Sequence, residues 1–289
     1  MRSSLKSRVK LGVHALAGRV KSRAVQLAVG SQPIGMLVES TNGLFAIDIE
    51  DQYVSRSVGR GGYGADELAL LSRYVEISSN ALIVGGHIGT LAVPLSRLTK
   101  TVHVIEANPE SFKLLEINRR INNCSNVTLH AIAASDSSEP LTFLLNTANS
   151  GGSKRAPLSA DFMYTYDNPR EIAVQATRLD DLFPQAVFDF ILMDIEGSEY
   201  FALRGMPELL RRCSTLVVEF VPHHLANVAN VTVDDLVDVI TPGGFDNMFV
   251  PSQDLTVPWS DVRRVLSGMF WQGLADDGLV FTSIGTAAL

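Results

Sequence analysis

Four carboxylates stand where proton or cation chemistry is easily done. Asp194, Glu196 and Glu199 fall within six residues in "FDFILMDIEGSEYFALRG", directly after a strongly apolar run. Glu219 sits at the end of the next apolar run, "STLVVEFV". A carboxylate within reach of a hydroxyl can take its proton, and carboxylates grouped with imidazoles can hold a divalent ion. His223 and His224 follow Glu219, but their spacing defines no ligand set, so no metal is expected. Each acid also has a plainer reading. Glu196 stands at a helix start, where a carboxylate complements the dipole, and Glu199 lies one turn further on, where it can simply face solvent.

A second constellation lies upstream. In "ALIVGGHIGT", residues 81–90, an apolar run enters a glycine turn. In open parallel sheets ligands sit beyond the carboxyl ends of the strands. Gly85 suits the turn, Gly86 lets backbone approach a ligand, and Gly89 permits close helix packing. Glu106 ends the next strand, in "VHVIEANPES", 17 residues past Gly89. An acid placed there can accept both hydroxyls of a ribose. Counted from Gly85, the third and sixth positions are His87 and Thr90, so the GxGxxG spacing that seats a pyrophosphate fails, and no GxxxxGK[ST] exists. A ribose ligand without a pyrophosphate fits better, and S-adenosylmethionine is the common one.

The elements that position these residues follow from the apolar pattern. Residues 34–58 read as a β-hairpin with its turn at "TNG", and a helix opens near Ala65. From residue 81, short apolar strands alternate with helical segments at 89–98, 109–122, 197–211 and 231–240. Pro109 begins the second of these, and Thr232 or Asp234 caps the last. Strands that are apolar without alternation belong to a parallel sheet covered on both faces. The polar stretch 146–168 interrupts the rhythm. It is long for a loop in a compact domain, which leaves it disordered or functional, for example as a lid over substrate.

The 289 residues are 46% apolar and 19% charged, a globular composition. Residues 1–30 carry seven basic residues and no acid, so the remainder holds 17 basic against 31 acidic. That acidic body argues against nucleic acid, whose phosphates need a positive face. No apolar run approaches the roughly 20 residues of a membrane span, so no stable membrane insertion is expected. The two distant cysteines, Cys124 and Cys213, read as buried free thiols of a reducing compartment, and a cytoplasmic location is expected.

The ordered motifs "IVGGHIG", "VIEANPESFKLLEINRRINN", "NVTLHAIAASD", "TRLDDL", "MDIEGSEYFALRG" and "VVEF" resemble the FkbM family of S-adenosylmethionine-dependent methyltransferases. The resemblance spans about residues 55–222, and the "DIEGSE…LRG" block is its most specific part. It implies an α/β class I methyltransferase (Rossmann-like) fold: a doubly wound, mostly parallel seven-stranded sheet whose last strand is antiparallel. It implies methyl transfer to oxygen, on a small hydroxylated acceptor such as a sugar or polyketide unit. Tyr63, Gly85, Gly86, His87 and Gly89 would approach the methionine part of the cofactor. Glu106, Ala107 and Asn108 would hold the ribose, and Ala134 and Ser135 would edge the adenine. Asp194 would face the transferable methyl, with Glu196 and Glu219 beside it as further catalytic candidates. Asp136 reads equally as an adenine contact or a turn residue. Trp259 and "FWQG" at 270–273 read as packing before sugar stacking.

The chain departs from the family pattern at Ile83 and His87, where an aspartate and an asparagine are usual, and at Met193, where a lysine is common. Two functions therefore compete. One is an O-methyltransferase, favoured by Glu106, Asp194 and Glu196. The other is a catalytically degenerate, methyltransferase-like binding protein, favoured by Ile83 and His87. The expected organisation is a basic leader over 1–33, an extension of hairpin and helix over 34–76, and a methyltransferase domain over 77–289. The oligomeric state stays open, with a homo-oligomer as one outcome.

Overall fold

A computed structural model describes residues 34–158 and 161–283, with scattered positions between 13 and 30. The basic leader expected over 1–33 falls largely outside the described residues. The central sheet contains β1 (Asn80–Val84), β2 (Thr101–Ile105), β3 (Val127–His130), β4 (Phe190–Met193), β5 (Thr215–Phe220), β6 (Asn247–Val250), β7 (Leu255–Pro258) and β8 (Asp276–Thr282). Their spatial order is β7-β6-β8-β5-β4-β1-β2-β3. From β3 to β5 neighbours are parallel, while β8 runs antiparallel to both β5 and β6.

The sheet has eight strands, where the sequence reading expected seven. The extra member is the edge strand β7, paired antiparallel with β6 through a tight turn at Pro251–Asp254. Only Val257 of its four residues is buried, so no apolar run announces it. Without it seven strands remain, and the last in the chain, β8, is antiparallel. A second difference concerns Leu141–Leu145, Lys154–Arg155 and Arg170–Val174. They form a separate three-stranded antiparallel sheet beside the central one.

The apolar strands are unalternating because alternate residues feed two different cores. Leu82, Val84, Ile191, Met193, Leu216 and Val218 point into one, against the helices Glu199–Arg204, Val233–Ile240 and Trp259–Gln272. Ala81, Ile83, Val102, Val104, Phe190, Leu192 and Val217 point into the other, against the helix Pro109–Ile121 and the hairpin of Met36–Ser40 with Gly43–Ile47. This is the doubly wound arrangement the pattern implies. Local chemistry sets the helix starts. The Asn108 side chain accepts from the Glu110 and Ser111 N–H groups ahead of Pro109, and Thr232 and Asp235 form a reciprocal capping box. Among the described residues, no helix is long and apolar enough to cross a membrane.

Asn118, fully buried on the helix Pro109–Ile121, ties three elements together. Its Oδ1 accepts from the Ala46 N–H at 2.6 Å, and its Nδ2 donates to the carbonyls of Ala46 and Ile88. The hairpin and the glycine turn are thereby held against one helix. Asn118→Ala strands these backbone groups, and the loss expected is roughly 2–4 kcal/mol in urea unfolding. A loss below about 0.5 kcal/mol, the range of an ordinary surface substitution, would show that the anchor carries no weight.

Candidate functional site

Strand register builds the site. Val84 pairs with Ile105 on one side and with Met193 on the other, and Met193 pairs with Val218. The next residue on each strand is Glu106, Gly85, Asp194 or Glu219. These four therefore stand side by side on the carboxyl rim of the sheet. All four line one cavity of about 720 Å³, the place where open parallel sheets bind ligands.

Gly85 lets the rim close. It adopts φ +96°, and a Cβ there would lie 1.8 Å from the Asp194 carbonyl oxygen. The requirement is close backbone approach. Gly86 differs from its expected role, because a Cβ on it would strike Val104 Cγ1 at 2.1 Å. Its lack of a side chain serves packing on β2, although its backbone still lines the cavity. Gly89 lies off the cavity wall and packs on Leu115.

Glu106 is buried and accepts the backbone N–H of His87 at Oε2 and of Asn108 at Oε1, both at 2.6 Å. Burial pushes its carboxyl up to about 7, against the opposing pull of N–H groups from Asn108, His87 and Ala107. Each oxygen retains a further lone pair for a ligand hydroxyl. Ala107 lines the cavity, whereas Asn108 does not: its side chain caps the helix and donates to Ser153. Asn108 thus meets any ligand only through Glu106.

His87 occupies a left-handed conformation, φ 47°. Its Nε2 lies 2.7 Å from Ser150 Oγ, which donates to Asp51 Oδ2 at 2.6 Å. Asp51, almost fully buried, also accepts from the N–H groups of Tyr53 and Ser55. Burial lowers the His87 pKa, with the carboxylates of Asp51 and Glu196 opposing. The imidazole is thus a fixed, neutral wall of the cavity, held by a segment of the 146–168 stretch. The described residues of that stretch, 146–158 and 161–168, fold over the cavity. Asp167 accepts from Asn146 Nδ2 and from the Thr147 and Ala148 N–H groups, and Asn149, Ser150, Gly151, Ser153 and Arg155 face the cavity.

Acids crowd the other end. Asp194 opens its surface to the cavity while protein surrounds it, and its carboxyl is raised well above the usual range by burial and then by Glu196 and Glu199. Glu219 is raised by burial, Asp194 and Glu196, with Lys154 opposing. Glu196 takes a left-handed φ of 57°, rare for a side-chain-bearing residue, and accepts from Lys154 Nζ at 3.0 Å. Glu199 is buried, not solvated. It accepts the Ile195 N–H at 2.9 Å, and burial lifts it to about 7. It holds the 194–199 turn. His224 lies between Glu196 and Glu219, and His223 bonds the Tyr164 hydroxyl at 2.7 Å, so both imidazoles are tied into the structure. Tyr63 lines the cavity, its hydroxyl pKa raised by burial and by Asp194.

At the opposite end Ile132, Ala133, Ala134, Leu141 and Phe143 form an apolar slot beside Arg155, whose guanidinium stacks on Phe201 at 4.1 Å. Ser135 lies behind the wall. Its hydroxyl accepts from Arg155, and Asp136 pairs with Arg204 outside the cavity. Trp259 packs on Phe281, and neither it nor residues 270–273 reach the cavity. Residues that sequence reasoning missed include Glu67 and Asp277, which line the acid end, and Lys154, Arg155, Ser150 and Asp51. Their signal was faint. "SGGSKRAP", within 146–168, read as part of a lid or a disordered loop with no residue singled out, and Glu67 only as part of the helix start near Ala65.

A sequence model described as methyltransferase FkbM domain matches residues 84–245. Among solved structures, methyltransferase FkbM from Methylobacillus flagellatus KT is 17% identical, with a TM-score of 0.41, over 72% of this chain and 44% of that one. This chain therefore spans less than half of that protein's length. TYW2 of M. jannaschii in complex with AdoMet is 13% identical, with a TM-score of 0.46, over 88% of this chain and 89% of that one. No curated protein matches the sequence significantly.

The Ser150 hydroxyl has one proton, and Asp51 receives it, so His87 must donate through Nε2. Long-range ¹⁵N–¹H correlation of the imidazole should report the Nε2–H tautomer, and Ser150→Ala should perturb it. An Nδ1–H tautomer in the intact protein would contradict this relay.

Proposed function

The chain belongs to the methyltransferase FkbM family, and we propose that it is an S-adenosylmethionine-dependent O-methyltransferase acting on a hydroxyl of a small sugar or polyketide-like acceptor. The observation that carries this reading is the single rim on which Glu106, Gly85, Asp194 and Glu219 stand in register within one cavity. Ala133 and Ala134 beside Arg155 would hold the adenine, Glu106 would accept the ribose hydroxyls, and Gly85, His87 and Tyr63 would line the methionine part. The cofactor carries a positive sulfonium and ammonium, which a cavity rich in carboxylates favours. Two buried free thiols support a reducing, cytoplasmic setting.

When bound, the cofactor would supply an electrophilic methyl group: the acceptor oxygen would form the C–O bond as the S–C bond left its electron pair on sulfur, giving S-adenosylhomocysteine. Asp194, the carboxylate at the centre of the rim, would take the acceptor's proton: its raised pKa makes it a strong base, and the positive charge of a bound cofactor would favour its ionised form. Glu196 and Glu219 flank that position and orient the acceptor. Holding donor and acceptor in line supplies much of the acceleration. Ile83, where an acid is usual, leaves the methionine end to carboxylates from elsewhere, and Glu67 and Asp277 line the cavity for that role. This observation weighs against the degenerate alternative.

Transfer of a ¹³C-methyl group from labelled cofactor to a panel of hydroxylated acceptors tests the reading, because the product's methyl shift separates an ether from an amine. Glu106→Ala removes two charge-assisted bonds to the ribose, about 2–4 kcal/mol, so cofactor affinity should fall on the order of 30- to 1,000-fold. His87→Ala should cost less, and equal losses would displace the ribose assignment. Asp194→Asn should lower kcat by about 10²-fold or more while cofactor affinity changes little. A fall in affinity alone would make Asp194 a cofactor contact. Cofactor affinity should also depend on pH through Glu106. The ionised carboxylate is the binding form, so affinity is full above about 7 and falls as pH drops below it. The limiting slope is about tenfold per pH unit, and titration from pH 8 to 6 checks it.

A further inference from the structure

The imidazole of His224 has no part in the methyl-transfer scheme, yet it lies against that scheme's acids. The residue is 9% exposed. Its Nε2 is 3.5 Å from Glu196 Oε2, and its Nδ1 is 3.9 Å from Glu219 Oε2. Both separations exceed the roughly 2.7–2.9 Å of a charge-assisted hydrogen bond. Nδ1 is fully buried and has no hydrogen-bond partner.

No protonation state repairs this. With the proton on Nε2, the Nδ1 lone pair faces Glu219, and at 3.9 Å neither the ionised nor the protonated carboxyl hydrogen-bonds it. With the proton on Nδ1, that N–H has no acceptor within bonding distance, and the Nε2 lone pair faces Glu196. With both protons, Nδ1–H is still stranded. A cation bound at Nδ1 gives the stranded nitrogen a partner and places positive charge against Glu219, while Nε2–H faces Glu196.

The surroundings fit such an ion. One ligand atom each from Glu196, Glu219 and His224 lie within 4.8 Å of one another. Donors about 2.0–2.3 Å from one ion are separated by roughly this much or less. Rigid features hold all three. Glu196 is set by its left-handed turn, Glu219 sits at the irregularity between Val218 and Phe220 in the β5–β8 pairing, and His224 follows in the short helix Pro222–His224. Lys154 Nζ contacts Glu196 Oε2 and is the competing cation.

We propose that Glu196, Glu219 and His224 form a binding site for one divalent transition-metal ion. One imidazole with two carboxylates suits Mn²⁺ or Zn²⁺ better than Mg²⁺ or Ca²⁺, which prefer all-oxygen sets. Glu196 and Glu219 line the cavity, so coordination positions left open by the protein face the acceptor end, where they can bind acceptor oxygens. That role rests on the methyltransferase reading, whereas the binding itself does not.

The test uses the full chain, stripped with chelator and titrated with MnCl₂ in the absence of cofactor and acceptor, with free Mn²⁺ read by electron paramagnetic resonance. One ion per chain is expected. Glu219→Gln and His224→Ala should each weaken uptake about tenfold or more, and Lys154→Met should strengthen it by removing the competing ammonium. His130→Gln, in the stacked His103–His130 pair outside the cavity, should leave uptake unchanged. Thermal melts establish that each variant is folded, and paramagnetic broadening of the His224 ring resonances in the unmutated chain tests the site without substitution. No uptake of Mn²⁺ or Zn²⁺ at millimolar concentration would overturn the proposal, as would uptake undiminished in both ligand variants or no broadening at His224. S-adenosylmethionine is titrated separately. Mn²⁺ uptake without cofactor binding would uphold the cation site while removing the methyltransferase reading.

Discussion

The site depends on one constraint, the register of four parallel strands. Backbone hydrogen bonding sets Val84 opposite both Ile105 and Met193, and Met193 opposite Val218. Because the pairing is in step, the residues after Ile105, Val84, Met193 and Val218 form a row of rim positions on one cavity. A slip of one residue in any strand would turn its rim acid to the other face and its core side chains towards the wrong layer. The two apolar cores, each taking alternate residues of the same strands, therefore fix the chemistry as well as the fold. At Gly85 the alignment leaves no room for a Cβ beside the Asp194 carbonyl.

Electrostatics at the rim follow from the same geometry. Adjacent strand ends bring Asp194 and Glu219 together, and the turn after β4 adds Glu196 and Glu199. Burial raises Asp194, Glu219 and Glu199, and mutual repulsion adds to it. Lys154 offsets part of this charge from the folded cover. Such a cavity is costly when empty and becomes favourable when cations enter it. The sulfonium cofactor and a metal ion are two ways of supplying them. Glu106, at the far side of Gly85, is satisfied by backbone N–H groups and stands ready before any ligand arrives.

Much of this was legible in the sequence because strand ends are legible. Glu106, Asp194 and Glu219 each terminate an apolar run, and the alternation of strands and helices places such ends on one rim. Of the second group, Glu67, Ser150, Arg155 and Asp277 line the cavity, while Asp51 and Lys154 act on it through Ser150 and Glu196, all by contacts between distant segments. Asp51 meets Ser150 across 99 positions, and no local periodicity encodes that. The 146–168 stretch read as either disordered or a lid because the contacts that order its described residues, through Asp167 and a two-residue strand, follow no apolar pattern. The strand Leu255–Pro258 was invisible because one buried valine is not a period. Ser135 and Asn108 were placed near a ligand by their motifs, but their side chains serve Arg155 and a helix cap.

On the proposed function, this rim is a nucleoside site without a pyrophosphate subsite. Calorimetric titration of the purified chain at pH 8 with S-adenosylhomocysteine, and in parallel with NAD⁺, tests it most directly. Saturable one-to-one binding of the sulfur nucleoside and none of the dinucleotide is expected. Binding of neither ligand to folded protein, or preference for NAD⁺, would contradict it.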